Sequence, residues 1–179
     1  VMLSQEEVRR VVEKLAAEIR CDYQDKNPLL VAILKGSFMF LADLIRAINM
    51  PLEIDFAQLS SYGSATESSG KVKVIHKLST PVKGRHVLVV EDIVDTGITL
   101  SVFLDLLRRR RPASLRLCAL LDKPSRRQVP ISIDYLGFTV PNKFIVGYGI
   151  DCDEKFRYLP DVCYLEEEGS EPGGADRRS

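Results

Sequence analysis

Residues 87–99 read VLVVEDIVDTGIT, and this stretch starts as a strand and ends as the first turn of a helix. Four apolar residues, Val87 to Val90, run directly into Glu91 and Asp92. A continuous apolar run this short suits a strand buried on both faces. Asp95-Thr96-Gly97-Ile98-Thr99 then bridges to a helix carrying Leu100, Phe103, Leu104 and Leu107 at helical spacing. A strand that enters a helix through a Gly-containing turn is the repeating unit of a parallel sheet flanked by helices.

The rest of the chain extends that pattern. Ser4 and Glu7 form a capping-box signature ahead of Val8, Val11, Val12, Leu15 and Ile19, which predicts an amphipathic helix ending near Cys21. Leu29–Leu34 is a second continuous apolar strand, followed by Lys35-Gly36-Ser37 and a helix carrying Phe38, Leu41, Leu44, Ile45 and Ile48. Residues 52–59 alternate with Leu52, Ile54 and Phe56 on the expected inner face, and residues 71–78 alternate at Val72 and Val74. The polar, small segment 60–70 between them is expected to be a mobile loop joining two antiparallel strands. Further strands are expected at Ser114–Leu121, at Phe144–Gly149 and around 162–165. Domain 1–165 is therefore read as a single α/β unit, and the polar, Gly-rich stretch 166–179 as a disordered tail.

Bulk properties narrow the function. The chain has 179 residues, 45% apolar and 28% charged, enough for one substantial core. Lys plus Arg equal Asp plus Glu at 25 each, so no general attraction for nucleic acid or an anionic membrane is expected. No apolar run is long enough for a membrane span. The first residues lack the features of a signal peptide, and Val1 is not a natural start. Cys21, Cys118, Cys152 and Cys163 show no C-x-x-C pair; Cys118 and Cys163 lie in apolar runs and are expected as core thiols, in a reducing cytoplasm. His76 and His86 have no metal-ligand spacing, and Arg108–Arg111 end a helix where cations favour the dipole.

Ligands of such sheets bind beyond the carboxyl ends of the strands. Polar clusters follow four strand ends here: Lys35-Gly36-Ser37, Glu91 through Thr99, Asp122-Lys123 and Asp151. In the 95–99 turn, Gly97 permits close approach, and the free N–H groups of the helix start suit a phosphate dianion, with Thr96 and Thr99 adding hydroxyls. A merely capped helix, with Thr or Asp as N-cap, is equally open on this turn alone. The acids shift the balance. Carboxylates at the end of a buried strand are costly without partners. A sugar phosphate accounts for them: its 5′-phosphate in the cradle, its vicinal hydroxyls against Glu91 and Asp92, directly or through hydrated Mg²⁺.

The thirteen-residue stretch resembles the ribose-phosphate signature of the type I phosphoribosyltransferases. ILKGSFMFLADLI, LSSYGSATESSGKVKVI, LLDK and VPNKFIVGYGIDCDEKFRYLPDVC extend the resemblance to the hypoxanthine-guanine phosphoribosyltransferases over most of the chain. The resemblance implies the type I phosphoribosyltransferase fold: a central, mainly parallel sheet flanked by helices, with a small hood region and a flexible loop. It implies Mg²⁺-dependent transfer of ribose phosphate from phosphoribosyl pyrophosphate to hypoxanthine or guanine in purine salvage, by a homodimer or homotetramer with no nucleic-acid or membrane partner. Transferases preferring xanthine and nucleotide-sensing RNA-binding regulators are the alternatives on this fold.

Residue by residue, the resemblance gives Glu91 and Asp92 the ribose hydroxyls and the metal. It gives Asp95, Thr96, Gly97, Ile98 and Thr99 the 5′-phosphate, and Asp95 a proton exchange with N7 of the base. Lys123 would donate to the exocyclic oxygen of a 6-oxopurine, Phe144 would stack on the purine, and the Ile145 backbone would read its edge. Asp151 would serve the purine side and the metal. Lys35-Gly36, in a loop that often holds a non-proline cis peptide, and Arg157 would contact pyrophosphate. Ser61 and Tyr62 would begin the closing loop. Two positions depart from the pattern: Ile98 stands where some members carry Lys, and Cys152 where an aromatic is common.

Overall fold

The computed structural model describes residues 1–61 and 72–166. In chain order the elements are α1 (Gln5–Tyr23), β1 (Leu29–Leu34), α2 (Phe38–Ile48), β2 (Glu53–Ser61), β3 (Val72–His76), β4 (His86–Val94), α3 (Ile98–Arg109), β5 (Ser114–Asp122), β6 (Tyr135–Thr139), β7 (Phe144–Val146) and β8 (Cys163–Leu165). Six strands form one sheet in the order β3-β2-β1-β4-β5-β6. All of its pairings are parallel except β2 with β3. β7 and β8 pair antiparallel as a separate small sheet, which is the position of the expected hood.

The uninterrupted apolar runs are explained by two cores, one on each face. Along β1, Leu30 and Ala32 enter the core shared with α1 and α2, while Leu29, Val31 and Ile33 enter the one under α3. β4 divides the same way, Leu88 and Val90 against Val87 and Val89. With period-2 alternation and both faces covered, every residue of 29–33 and of 87–90 is core. The Ser4–Glu7 capping box forms as expected and starts α1.

From β1 the chain passes through α2 to β2 on one side; from β4 it passes through α3 to β5 on the other. The order of winding reverses between the neighbouring strands β1 and β4. That switch point is where a crevice opens beyond the strand ends.

Four expectations need correction. On β2, Asp55 and Ala57 are the fully buried residues and Ile54 is 41% exposed, while Leu52 and Phe56 of the expected inner face are partly buried against the core. Asp55 is accepted because its carboxylate receives the N–H groups of Phe56, Ser79 and Thr80 at 2.7, 2.8 and 2.8 Å. The strand β6 was not foreseen; it closes the sheet beside β5, and a side chain at its Gly137 would meet the Leu120 carbonyl at 2.4 Å. Phe144–Gly149 is a strand only as far as Val146 and lies outside the main sheet, because residues 147–149 all turn through positive φ. Cys163 is half-buried, while Cys118 is fully buried. Most of the expected mobile loop and all but the first residue of the expected tail fall outside the described residues.

Candidate active site

The carboxyl end of β4 supplies the acids. Glu91 folds back so that its Oε1 accepts the N–H of Asp92 at 3.2 Å. Burial first, and the neighbouring Asp92 charge second, push the Glu91 carboxyl well above its ordinary range. Asp92 faces the loop after β1 across the switch point. A Cβ on Gly36 would fall 1.9 Å from Asp92 Oδ2, so only glycine lets loop and carboxylate meet at this distance. The peptide Leu34–Lys35, at the entry to that loop, is cis.

The cradle follows. Gly97, at φ 82°, is the N-cap of α3 and makes no side-chain cap bond, so neither Thr nor Asp caps this helix. Thr96 Oγ1 lies 3.4 Å from the Ile98 nitrogen. The helical ladder begins with Ser101 N–H donating to Gly97 O at 2.9 Å, which leaves the first-turn N–H groups without intrahelical acceptors. The N-cap is thus Gly97 and not the Thr or Asp of the capped-helix alternative, although Thr96 Oγ1 accepts the N–H of Ile98, the first helical residue.

Two arginines that sequence reading passed over hold this turn. Arg126 Nε donates to Asp95 Oδ1 at 3.1 Å. Arg127 Nε donates to the Asp95 carbonyl at 3.0 Å, and its Nη2 pairs with the Asp122 carboxylate. The N–H groups of Gln128 and Val129 both donate to the Thr96 carbonyl, at 2.9 and 3.1 Å. A Cβ on Gly97 would meet Val129 O at 2.8 Å. The signal was the charge pair Arg126-Arg127 three residues after Lys123, in a segment with no periodicity to interpret.

Beside the cradle a cleft of about 970 Å³ is lined by Asp95, Lys123, Arg126, Phe144, Ile145 and Asp151, with Ile93, Asn142, Lys143, Ile150, Tyr164, Leu165 and Glu166. That volume is at the upper end for a small-molecule site. Lys123 is only 8% exposed, and its Nζ donates to the Lys143 carbonyl at 2.8 Å, which leaves the ammonium two further donors. Phe144 is 65% exposed at the mouth, whereas Ile145 is buried. Lys143 Nζ sits 3.8 Å from the centre of the Tyr164 ring, a cation–π contact on the same wall; neither residue was singled out from sequence.

Asp151 accepts the Glu154 N–H at 2.8 Å and pairs with Arg157 Nη2 at 3.1 Å. Arg157 also donates to the Gly149 carbonyl at 2.9 Å, and Lys35 pairs with Glu154 at 3.1 Å. The loop after β1 thus meets residues 149–157 over Gly36, whose carbonyl would lie 2.7 Å from a Cβ on Gly149.

The structure gathers Asp95, Lys123, Phe144, Ile145 and Asp151 into one cleft. It places Lys35, Gly36, Glu91, Asp92 and Arg157 along the adjoining rim through the contacts above, with Thr96, Ile98 and Thr99 following Asp95 at the helix start. Tyr62 lies outside the described residues, and of Ser61 only its backbone at the end of β2 is described. Cys152 is half-buried and bridges to Lys155. Among the described residues no three His, Cys, Asp or Glu side chains converge to hold a metal by themselves.

Residues 2–153 match the model of the phosphoribosyl transferase domain family. The chain is 48% identical over 166 residues to the hypoxanthine-guanine phosphoribosyltransferase of Bacillus subtilis (strain 168), covering 93% of this chain and 92% of that one. It is 46% identical to the hypoxanthine-guanine phosphoribosyltransferase of Streptococcus pneumoniae (strain ATCC BAA-255 / R6), covering 94% and 93%. A crystal structure of a hypoxanthine phosphoribosyltransferase from Staphylococcus aureus superposes with a TM-score of 0.90 at 43% identity, covering 93% of this chain and 90% of that one.

Proposed function

The chain belongs to the phosphoribosyltransferase family, and on that premise we propose that it transfers the 5-phosphoribosyl group from phosphoribosyl pyrophosphate to hypoxanthine or guanine, as a purine-salvage enzyme. One observation carries the choice of base: the buried Lys123 ammonium is delivered into the cleft beside the exposed Phe144 ring. A 6-oxo group accepts a bond from an ammonium, and a 6-amino group does not.

In the reaction a ring nitrogen of the purine bonds to C1′ of the ribose as the C1′–oxygen bond to pyrophosphate breaks. The pyrophosphate carries away the electron pair, and the purine must give up one proton. Lys123 fixes the oxo group and Phe144 stacks on the ring, so the base is aimed before the sugar is cleaved. Asp95, at the junction of cleft and cradle, is placed to take the proton from N7. Glu91 and Asp92 accept hydrogen bonds from the ribose hydroxyls. The cradle of residues 95–99 holds the 5′-phosphate through backbone N–H groups. The loop carrying Lys35 and Gly36, together with Arg157, faces the pyrophosphate, where a guanidinium suits the charge.

The donor set fits Mg²⁺. Glu91 and Asp92 lie side by side, and burial and mutual repulsion raise the Glu91 carboxyl, a condition that a cation relieves. Among the described residues no third acid converges on this pair, and two carboxylates suffice for Mg²⁺ when water and substrate oxygens complete its shell. Bound there, it would neutralise charge on the leaving pyrophosphate.

Ultraviolet-monitored product formation with phosphoribosyl pyrophosphate, Mg²⁺ and each purine in turn tests the proposal. Turnover of hypoxanthine or guanine, and none of adenine, is the expected result. Equal turnover of adenine would overturn the role of Lys123, and no turnover of any purine would overturn the activity.

A further inference from the structure

We infer that Arg127 is a positioning residue that orients the phosphate cradle without touching the ligand. The inference rests on the proposed reading of residues 95–99 as the 5′-phosphate site. In a trans peptide the carbonyl of one residue and the N–H of the next point in opposite directions. The Asp95–Thr96 and Thr96–Gly97 peptides are trans, the one cis bond among the described residues being Leu34–Lys35. Arg127 Nε draws the Asp95 carbonyl towards the segment after Lys123, and the Gln128 and Val129 N–H groups draw the Thr96 carbonyl the same way. The N–H groups of Thr96 and Gly97 must therefore point away from that segment. Among the described residues neither has an acceptor in the protein. Two aligned, unpaired N–H groups ahead of a helix start are what an anion needs, and holding them beforehand removes the cost of orienting them on binding.

Arg127 is itself anchored. Its guanidinium pairs with Asp122 at the end of β5, and both side chains are largely buried, at 17% and 14% exposure. Its Cδ lies 3.1 Å from where a Gly97 Cβ would be. One planar fork thus ties the end of β5 to the turn after β4, with its Nε on the Asp95 carbonyl and its Nη2 on Asp122. Lysine carries all its donors on a single nitrogen and lacks the planar fork that reaches both acceptors at once in this geometry.

The test uses Arg127→Lys, which keeps a cation for Asp122, and Arg127→Met combined with Asp122→Asn, which removes the pair without leaving a buried carboxylate alone. Binding of ribose 5-phosphate and of hypoxanthine is measured separately by calorimetry, alongside Tm and the KM for phosphoribosyl pyrophosphate. Ribose 5-phosphate should bind roughly tenfold or more weakly in both variants, the scale of a lost or misaligned hydrogen bond to a charged group. The KM for phosphoribosyl pyrophosphate should rise with it, while hypoxanthine binding stays within about twofold, since Lys123 and Phe144 hold the base. Parental affinity for ribose 5-phosphate in either variant would overturn the inference. So would parallel loss of both ligands with Tm, which is the signature of a structural residue. A parent protein that binds ribose 5-phosphate but transfers no ribose would overturn the proposed activity and leave the clasp standing.

Discussion

Replacing Lys123 by methionine isolates the interaction proposed to select the base. Methionine keeps the length of the side chain and removes the charge and its donors. The structure sets two opposing effects on stability. The Lys143 carbonyl, which receives the ammonium at 2.8 Å, loses its donor; an unsatisfied buried acceptor costs about 1–3 kcal/mol. Against this, a largely buried cation no longer has to be kept out of water. The two offset in part, so Tm should move by no more than about 6 °C for a domain of this size. The effect on turnover has no such offset. The bond from ammonium to oxo group is charge-assisted and worth about 1.5–3 kcal/mol, which is about 10- to 150-fold in kcat/KM. The loss should fall on hypoxanthine and guanine alike, and the KM for phosphoribosyl pyrophosphate should not move. Initial rates under varied purine and varied phosphoribosyl pyrophosphate, with a thermal melt of each protein, give all three quantities. If kcat/KM for both purines stays within threefold while the protein remains folded, the ammonium is structural and base selection lies elsewhere.

Three further outcomes are expected. Asp95→Asn keeps an oxygen for Arg126, so stability should change by less than about 1 kcal/mol, while kcat falls by roughly 10²–10⁴-fold with the loss of a general acid–base group; stopped-time assays with a parallel urea melt separate the two. Gly36→Ala drives a methyl into Asp92, so kcat/KM should fall at least about tenfold, and adding Asp92→Ala to the same chain should lower it little further, as contacting residues are not additive. Asp55 contributes to the pH dependence of stability: burial alone would push its carboxyl up, but the N–H groups of Thr80, Phe56 and Ser79 outweigh this and hold it below its ordinary value. A lowered folded value stabilises the protein fully above the unfolded carboxyl range, near pH 4, and is lost as pH falls through the folded value. Asp55→Asn should therefore be less stable than the parent at pH 7, with the gap narrowing below about pH 4; a gap constant down to pH 3 in denaturant melts would remove the carboxylate from the account.

How much of this could be read beforehand depended on what each residue answers to. β1 and β4 were legible because burial on both faces demands the unbroken apolar runs 29–34 and 87–90, too short for a buried helix. β2 was legible as a strand, and Leu52 and Phe56 do pack on the core, but its fully buried positions, Asp55 and Ala57, were not legible. Asp55 is buried on hydrogen bonds from Ser79 and Thr80, 24 and 25 residues away in the chain, and no local pattern records such partners. β6 escaped because it is only five residues long and Gly137 interrupts its apolar run at the centre; that glycine answers to the Leu120 carbonyl on β5. At the site, the acids of β4 and Lys123 stood out because charge at the end of a buried strand is costly. Arg126 and Arg127 did not, since adjacent arginines in a loop read as a solvated surface until their acceptors, Asp95 and Asp122, are known.

The same contacts explain why three acids can crowd an anion site. Glu91 is folded onto the Asp92 N–H and held towards its neutral form by burial and by the Asp92 charge. Asp92 is turned across the switch point onto Gly36, away from the helix start. Asp95 is the acid nearest the cradle, and its carboxylate is paired with the Arg126 guanidinium while its carbonyl is drawn off by Arg127. Each negative charge is thus buried, aimed elsewhere or compensated, and what remains directed at a bound phosphate is backbone N–H at the positive end of α3. At ~10 Å or less between groups, unscreened repulsion from even one free carboxylate would offset much of that attraction. On the proposed roles, the acids are free to serve the sugar hydroxyls and the base proton because residues 126–129 and the glycine at 36 keep them off the phosphate. The segment after Lys123 belongs to the site as much as the signature does.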